Sequence, residues 1–294
     1  MDTITFYKPN KTLPLSLTGA QCELNCSHCG SQYLKHMHDI STINLPINHS
    51  SYKSLLISGG SDKHGRLKLE DKISHLESYI KDSLNLNIHT GLATSKTIKS
   101  LENLIALATP MQKISISFDF LTHNQTIKDV YNIPKKRDDY INALLNLKQL
   151  ETKAKDSYNP LVTVIPHICI GLWEGKVAGE FDALDCLYDM GFKNLVFIVF
   201  KPTAKTKLEE KLPPSITDVK KVFTKGINLF GSENIQLGCM RPAGVYRDTL
   251  DTMAIELGIR HIVMPSKLAI TKAKSMNLEI NYKNECCVLS ITHH

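Results

Sequence analysis

Residues 13–30, LPLSLTGAQCELNCSHCG, join a short apolar run to a loop that holds three cysteines, Cys22, Cys26 and Cys29. The run at 13–17 is of strand length and is bounded by Gly19, a turn residue. The cysteines stand at x3 and x2 spacing within eight residues. A zinc site built on Cys-x2-Cys needs a second pair at similar spacing, and the adjacent Cys286 and Cys287 cannot imitate one. An iron–sulfur cluster is held by thiolates from such a close-set loop. Three local ligands also leave one iron without a protein partner, open to a substrate or cofactor.

Outward from this stretch, β-rich apolar runs alternate with amphipathic segments. The runs are 13–17, 54–58, 86–90, 113–118, 161–168, 195–200, 235–238 and 261–264. Between them, residues 69–84 carry Ile73, Leu76, Tyr79 and Ile80 on one helical face, and 140–150 carry Ile141, Leu144, Leu145 and Leu147. Further helices are expected at 95–108, 180–190, 217–230 and 247–257. Gly191 and Gly258 stand where helices should end, and Ser215 follows Pro213 and Pro214 as a candidate N-cap. Eight strands separated by helices, with no change of pattern midway, predict a single parallel α/β barrel, either a (β/α)8 or a closely related partial TIM-type barrel. The cysteine loop should follow its first strand. The barrel domain is expected over 1–268, with 269–294 as a C-terminal tail. Residues 120–137 form the longest irregular connection.

Such a barrel places its active site on the loops that follow the C-terminal ends of its strands. The polar residues of this chain fall there. Gly59 and Gly60 follow the second run, His89 and Thr90 close the third, and Asp119 follows the fourth. His167 and Cys169 end the fifth, Lys201 and Thr203 follow the sixth, and Cys239 and Arg241 follow the seventh.

Composition narrows the class. Of 294 residues, 42% are hydrophobic and 22% charged, the balance of a globular chain, which excludes collagenous or wholly disordered classes. No apolar run approaches the roughly 18 residues of a membrane span, and the N-terminus lacks a basic start followed by an apolar block. A cytoplasmic location is therefore expected. Net charge is +6, with scattered lysines and no basic arm, which points away from nucleic acid. Eight cysteines in a reducing compartment point to metal and away from disulfides.

The Cys-x3-Cys-x2-Cys loop after the first barrel strand resembles the signature of the radical S-adenosylmethionine (SAM) superfamily. That resemblance implies that Cys22, Cys26 and Cys29 ligate a [4Fe-4S] cluster whose fourth iron is chelated by SAM, with reductive cleavage giving a 5′-deoxyadenosyl radical. Gly59-Gly60-Ser61-Asp62 resembles the family's glycine pair near the SAM amino group. A serine replaces the usual acid, so the role passes to Asp62. His89, His167 and Arg241 are candidate SAM or cluster contacts, although each is also a plausible structural residue.

Segments 87–91, 164–172, 200–206 and 238–242 are similar to the biotin-synthase-like branch. Residues 16–19, His28 and 33–37 are most similar to the two-component, archaeal-type lipoyl synthases. This branch implies sulfur insertion into an octanoyl chain on a lipoyl-carrier protein, a second radical SAM partner subunit, and an electron donor such as ferredoxin or flavodoxin. It also implies a second, sacrificial iron–sulfur cluster, for which Cys239, Cys286 and Cys287 are the candidate ligands and Cys169 a possible fourth. Cys186, in a helical segment, reads as a small buried hydrophobe. Two alternatives stand beside this: a radical SAM enzyme with one cluster acting on a small molecule, and a non-catalytic iron–sulfur protein.

Overall fold

The computed structural model describes residues 2–43, 47–48, 50–81, 84–156 and 161–291. Among these, the strands are β1 (Thr3–Tyr7), β2 (Thr12–Ser16), β3 (His38–Asp39), β4 (Ser54–Ser58), β5 (Asn85–His89), β6 (Lys113–Asp119), β7 (Leu161–Ile170), β8 (Leu195–Val199), β9 (Ile235–Leu237), β10 (His261–Val263) and β11 (Glu279–Lys283). They form one sheet in the order β11-β1-β10-β9-β8-β7-β6-β5-β4-β2-β3, and each neighbouring pair is parallel. The helices are α1 (Ile73–Lys81), α2 (Ser95–Ala106), α3 (Asn124–Asp129), α4 (Arg137–Asp156), α5 (Glu180–Asp189), α6 (Ile216–Phe230), α7 (Val245–Glu256) and α8 (Lys267–Ser275). None is long and apolar enough to cross a membrane.

Chain connectivity forces this sheet to curl. β1 and β2 lie eight strand spacings apart in the order, roughly 38 Å if the sheet were flat. Only residues 8–11 join them, a link that reaches at most roughly 18 Å. The sheet therefore bends round until its two ends nearly meet, giving an open, curled, partial TIM-type barrel.

Alternation along the strands divides the two faces of the curl. In β6, Ile114, Ile116 and Phe118 point outward beneath the helices, with the Phe118 and Tyr140 rings 6.0 Å apart, while Ser115, Ser117 and Asp119 point into the lumen. β8 does the same with Leu195, Phe197 and Val199 outside and Val196 inside. Each fully buried outer side chain contributes about 1.5–3 kcal/mol through removal of apolar surface from water, so the helix–sheet layer carries most of the stability.

Residues 286–289 fill the lower lumen. After β11, the Lys283 and Asn284 carbonyls accept from the Lys8 and Lys11 N–H groups at 2.8 Å each, and the Cys286 N–H donates to Thr12 Oγ1 at 2.9 Å. The chain thus enters through the seam between β1 and β2 and satisfies backbone donors there. Cys287, Val288 and Leu289 then pack against Tyr7, Ile165, Val196 and Val263. Lys113 and Ser115 donate to the Leu289 and Val288 carbonyls, and Gln236 to that of Cys287.

The eight expected runs are the strands β2 and β4–β10, each within about two residues of its expected ends, whereas β1, β3 and β11 were not foreseen. The cysteine loop accordingly follows the second strand of the chain. Residue 268 lies at the start of α8, and β11 beyond it pairs with β1. α3 lies inside the connection read as irregular. Gly191 and Gly258 take φ of 73° and 95° after α5 and α7, and Ser215 Oγ caps α6 by accepting from the Asp218 N–H at 3.1 Å.

Candidate active site

The cysteine loop leaves β2 and turns back on itself through left-handed residues, Gly19, Asn25, Gly30 and Ser31. For Asn25 and Ser31 that conformation costs about 1–2 kcal/mol each, so the loop must be held from outside. It is held on three sides. The Glu23 N–H donates to the Ser61 carbonyl at 2.9 Å, and the Ser27 N–H and hydroxyl donate to the carbonyls of Val130 (2.8 Å) and Asp129 (3.0 Å). The Leu208 N–H donates to the Ser27 carbonyl at 3.1 Å. Turns after β4, α3 and β8 thus fix where the thiols stand.

Cys26 Sγ, Cys29 Sγ and a His28 ring nitrogen lie within 4.8 Å of one another. The Cys22 thiol stands apart, 3.7 Å from the Ser61 carbonyl. A hydrogen bond between the two closer thiols pulls Cys29 down to about 7 and, with burial, pushes Cys26 up. Burial lowers His28 to about 4, so its imidazole is neutral at pH 7, although Asp119 acts in the opposite sense. Its Nδ1 is buried without a hydrogen-bond partner, an arrangement that costs about 1–3 kcal/mol unless a bound group satisfies it. Three thiols on one loop beside an orphaned nitrogen fit an iron–sulfur cluster with one iron left open.

Gly60 owes its identity to this loop. A Cβ there would stand 1.9 Å from the Gln21 carbonyl oxygen and 2.6 Å from Cys22 Cα. Only glycine lets β4's end lie flat against the cysteine backbone. A Cβ at Gly59 would stand 2.9 Å from Leu67 Cδ1, and the Gly60 N–H donates to Thr18 Oγ1 at 2.7 Å. Asp62 is buried, and its carboxylate accepts from the His64 and Arg66 N–H groups and from the Arg66 guanidinium at 2.6 and 2.8 Å. It closes the 62–66 turn.

His89 and His167 project from the same wall of the lumen, on either side of β6, with ring centroids 5.5 Å apart. Burial lowers both, His167 to about 3 with its neighbour's help. Arg241 lies elsewhere. It is fully buried, pairs with both oxygens of Asp251 at 2.7 and 3.0 Å, and donates to the Gly238 and Met264 carbonyls. It ties β9 to α7 and to the turn after β10.

Cys239, Cys286 and Cys287 are brought together on the lumen's far side. Cys239 opens onto it from the end of β9, and enclosure by protein, then the nearby Cys286, push its thiol up. Cys286 is pulled down by the Cys287 thiol, which is itself pushed up by that bond and by burial. Asn87 Nδ2 also donates to Cys286 Sγ at 3.3 Å, and the Ser117 hydroxyl fixes that amide by donating to its Oδ1 at 2.7 Å. The three sulfurs are not within 4.8 Å of one another, unlike the group at the rim. Cys186 sits on α5, its sulfur against Arg137.

Sequence reasoning missed Asn87, Ser117 and Tyr131 and gave Asp119 no role. Asp119 faces the lumen, exposed, among His28, His89 and Tyr131. The signal was present in Ser115-x-Ser117-x-Asp119, polar at every second position of an otherwise apolar run. Tyr131, whose carbonyl meets Cys26 Sγ at 3.6 Å and whose ring lies 5.1 Å from His28, had no such signal, since it is placed by α3.

No family model matches the sequence, and no curated protein matches it. Solved structures do. Methylornithine synthase (PylB) aligns with 95% of this chain and 83% of its own, at 11% identity and a TM-score of 0.56. SuiB of Streptococcus suis bound to S-adenosylmethionine aligns with 84% of this chain at 13% identity and a TM-score of 0.51. These matches show the fold, an open, curled, partial TIM-type barrel. The chain spans about half of SuiB, 52% of its length. At such identities the shared property is the curled parallel sheet, on whose C-terminal rim the cysteine loop of this chain lies.

Proposed function

We propose that this protein is a radical SAM enzyme that inserts sulfur into an octanoyl chain on a lipoyl-carrier protein. The observation that carries the reading is the presence of two separate thiol groups facing one lumen, Cys22, Cys26 and Cys29 at its rim and Cys239, Cys286 and Cys287 on its far side. When bound, the rim [4Fe-4S] cluster and SAM supply the 5′-deoxyadenosyl radical, and a second cluster supplies sulfide. The chain's own part is to hold and orient. Cys22, Cys26 and Cys29 would hold three irons, with His28 Nδ1 free to hydrogen-bond the cluster or its nucleotide. Gly59 and Gly60 keep the loop in register, while neutral His89 and His167 line the space between the two thiol groups. Asn87 holds Cys286 toward that space.

A carrier delivering the acyl chain, a second radical SAM subunit and a reductant such as ferredoxin or flavodoxin belong to the same proposal. Anaerobic reconstitution should load about eight irons per chain, against about four if only the rim site exists. Incubation with an octanoylated carrier, the partner subunit and reductant should yield thiolated product by mass. Fully loaded protein that gives none would refute the reading.

One observation favours a second reading, a single-cluster enzyme acting on a small polar molecule. Asn87, His89, Ser117, Asp119 and His167 make one wall of the lumen polar, which suits hydrogen-bonding substrates better than an alkyl chain. Iron content separates the two. A non-catalytic role would be marked by the absence of 5′-deoxyadenosine when SAM and reductant are supplied.

A further inference from the structure

The rim carries an exposed apolar strip. Leu212, Val245, Met264 and Leu268 are 80, 81, 48 and 54% exposed. They follow β8, β9 and β10, and hydrogen bonds tie their segments edge to edge. Tyr246 donates to the Pro214 carbonyl at 2.8 Å, Arg241 to that of Met264 at 3.3 Å, and the Ser266 N–H to Asp251 at 2.9 Å. Met264 is also held at φ 49°, a conformation unfavourable for a non-glycine residue that keeps an apolar side chain turned to water. Other exposed apolar rings have company. Lys225 lies over Phe181, Phe230 stands edge-on to Tyr188, and Lys8 lies over Tyr282.

Charge around the strip is lopsided. In the loop after β8, Lys201, Lys205, Lys207 and Lys211 outnumber Glu209 and Glu210, and Lys267 offsets Asp248 nearby. The side chains of Lys205, Lys207 and Lys267 make no ion pair among the described residues, although the Glu209 carboxylate accepts from the Lys205 backbone N–H. An apolar centre edged by unpaired cations suits an acidic protein surface, and Cys239 opens onto the lumen from the same edge.

We propose that this strip, centred on Leu212 and Val245, is where an acidic carrier protein docks to present its acyl chain to the lumen. This rests on the sulfur-insertion reading but is tested apart from it. Affinity of the loaded holoenzyme for an octanoylated lipoyl-domain protein should fall by about tenfold or more in L212D/V245D, as for loss of central interface residues. In K205E/K207E, binding should weaken less and lose part of its salt dependence. Cleavage of SAM without carrier, and thiolation of a free octanoyl-lysine peptide, should match the parent in both variants. The proposal is overturned if the parent does not bind the carrier, if the variants bind it equally well, or if L212D/V245D alters oligomeric state in place of carrier binding. Failure of the parent to thiolate the free peptide would count against sulfur insertion and leave the binding result to judge the docking surface.

Discussion

The two thiol groups share one lumen but are held by opposite means. At the rim, Cys22, Cys26 and Cys29 ride on a loop of left-handed turns stitched to three neighbouring segments, and a buried nitrogen beside them lacks a partner. On the far side, Cys287 is packed with Val288 and Leu289 into an apolar cluster, and Cys286 has its donor in Asn87. The first arrangement has polar capacity left over for a bound group. The second would stand as protein core even if nothing bound there. The contrast teaches that a cysteine cluster is read best from what its surroundings leave unsatisfied.

The largest expected effect breaks the rim alone. Changing Cys22, Cys26 and Cys29 together to alanine should abolish 5′-deoxyadenosine formation and remove the rim iron, whereas Cys286→Ser should leave that formation in place. Loss in both would mean that the two groups do not act separately.

Next comes the plug. Leu289→Ala should destabilise the protein by about 2–5 kcal/mol in urea unfolding, because Leu289 fills the lower lumen with Tyr7 and Val263. A cost near zero would mean that the tail is not part of the core. Gly60→Ala should cost about 1–3 kcal/mol and lower rim iron content, through its collision with Gln21 and Cys22. Cys286 should be alkylated at the same rate as in the parent.

How much of this was legible follows from the same contrast. That Cys22, Cys26 and Cys29 share one rim loop was readable because they stand close in sequence, and the strands β2 and β4–β10 because short apolar runs between amphipathic helices fit little else. β1 and β11 were not, since Thr3–Tyr7 is a single short alternation and Glu279–Lys283 is mostly exposed. Gly60 was readable as a close approach, but the partner is the cysteine loop's own backbone. Asp62 was read as a SAM contact, and Arg241 as a SAM or cluster contact or a structural residue. That each is occupied by a carboxylate or guanidinium nearby could not be known without the fold, because Asp251 lies ten residues on and the 62–66 turn is set by contacts.

The smallest effect concerns pH. Burial holds folded His167 at about 3, against 6.5 when exposed, so the unfolded chain binds the proton first. The stability this histidine supplies is complete above pH 6.5 and is lost as pH falls toward 3, at up to roughly 1.4 kcal/mol per pH unit. In the apo-protein, His167→Phe should make the acid limb of stability shallower. An unchanged limb would show that other groups govern it.

The most direct test of the central claim is electron paramagnetic resonance of the reduced, anaerobically reconstituted protein, recorded with and without SAM. The account predicts a [4Fe-4S]+ signal that changes shape when SAM binds the open iron and disappears in the rim triple-alanine variant. A signal indifferent to SAM, or one that survives loss of all three rim thiols, would contradict it.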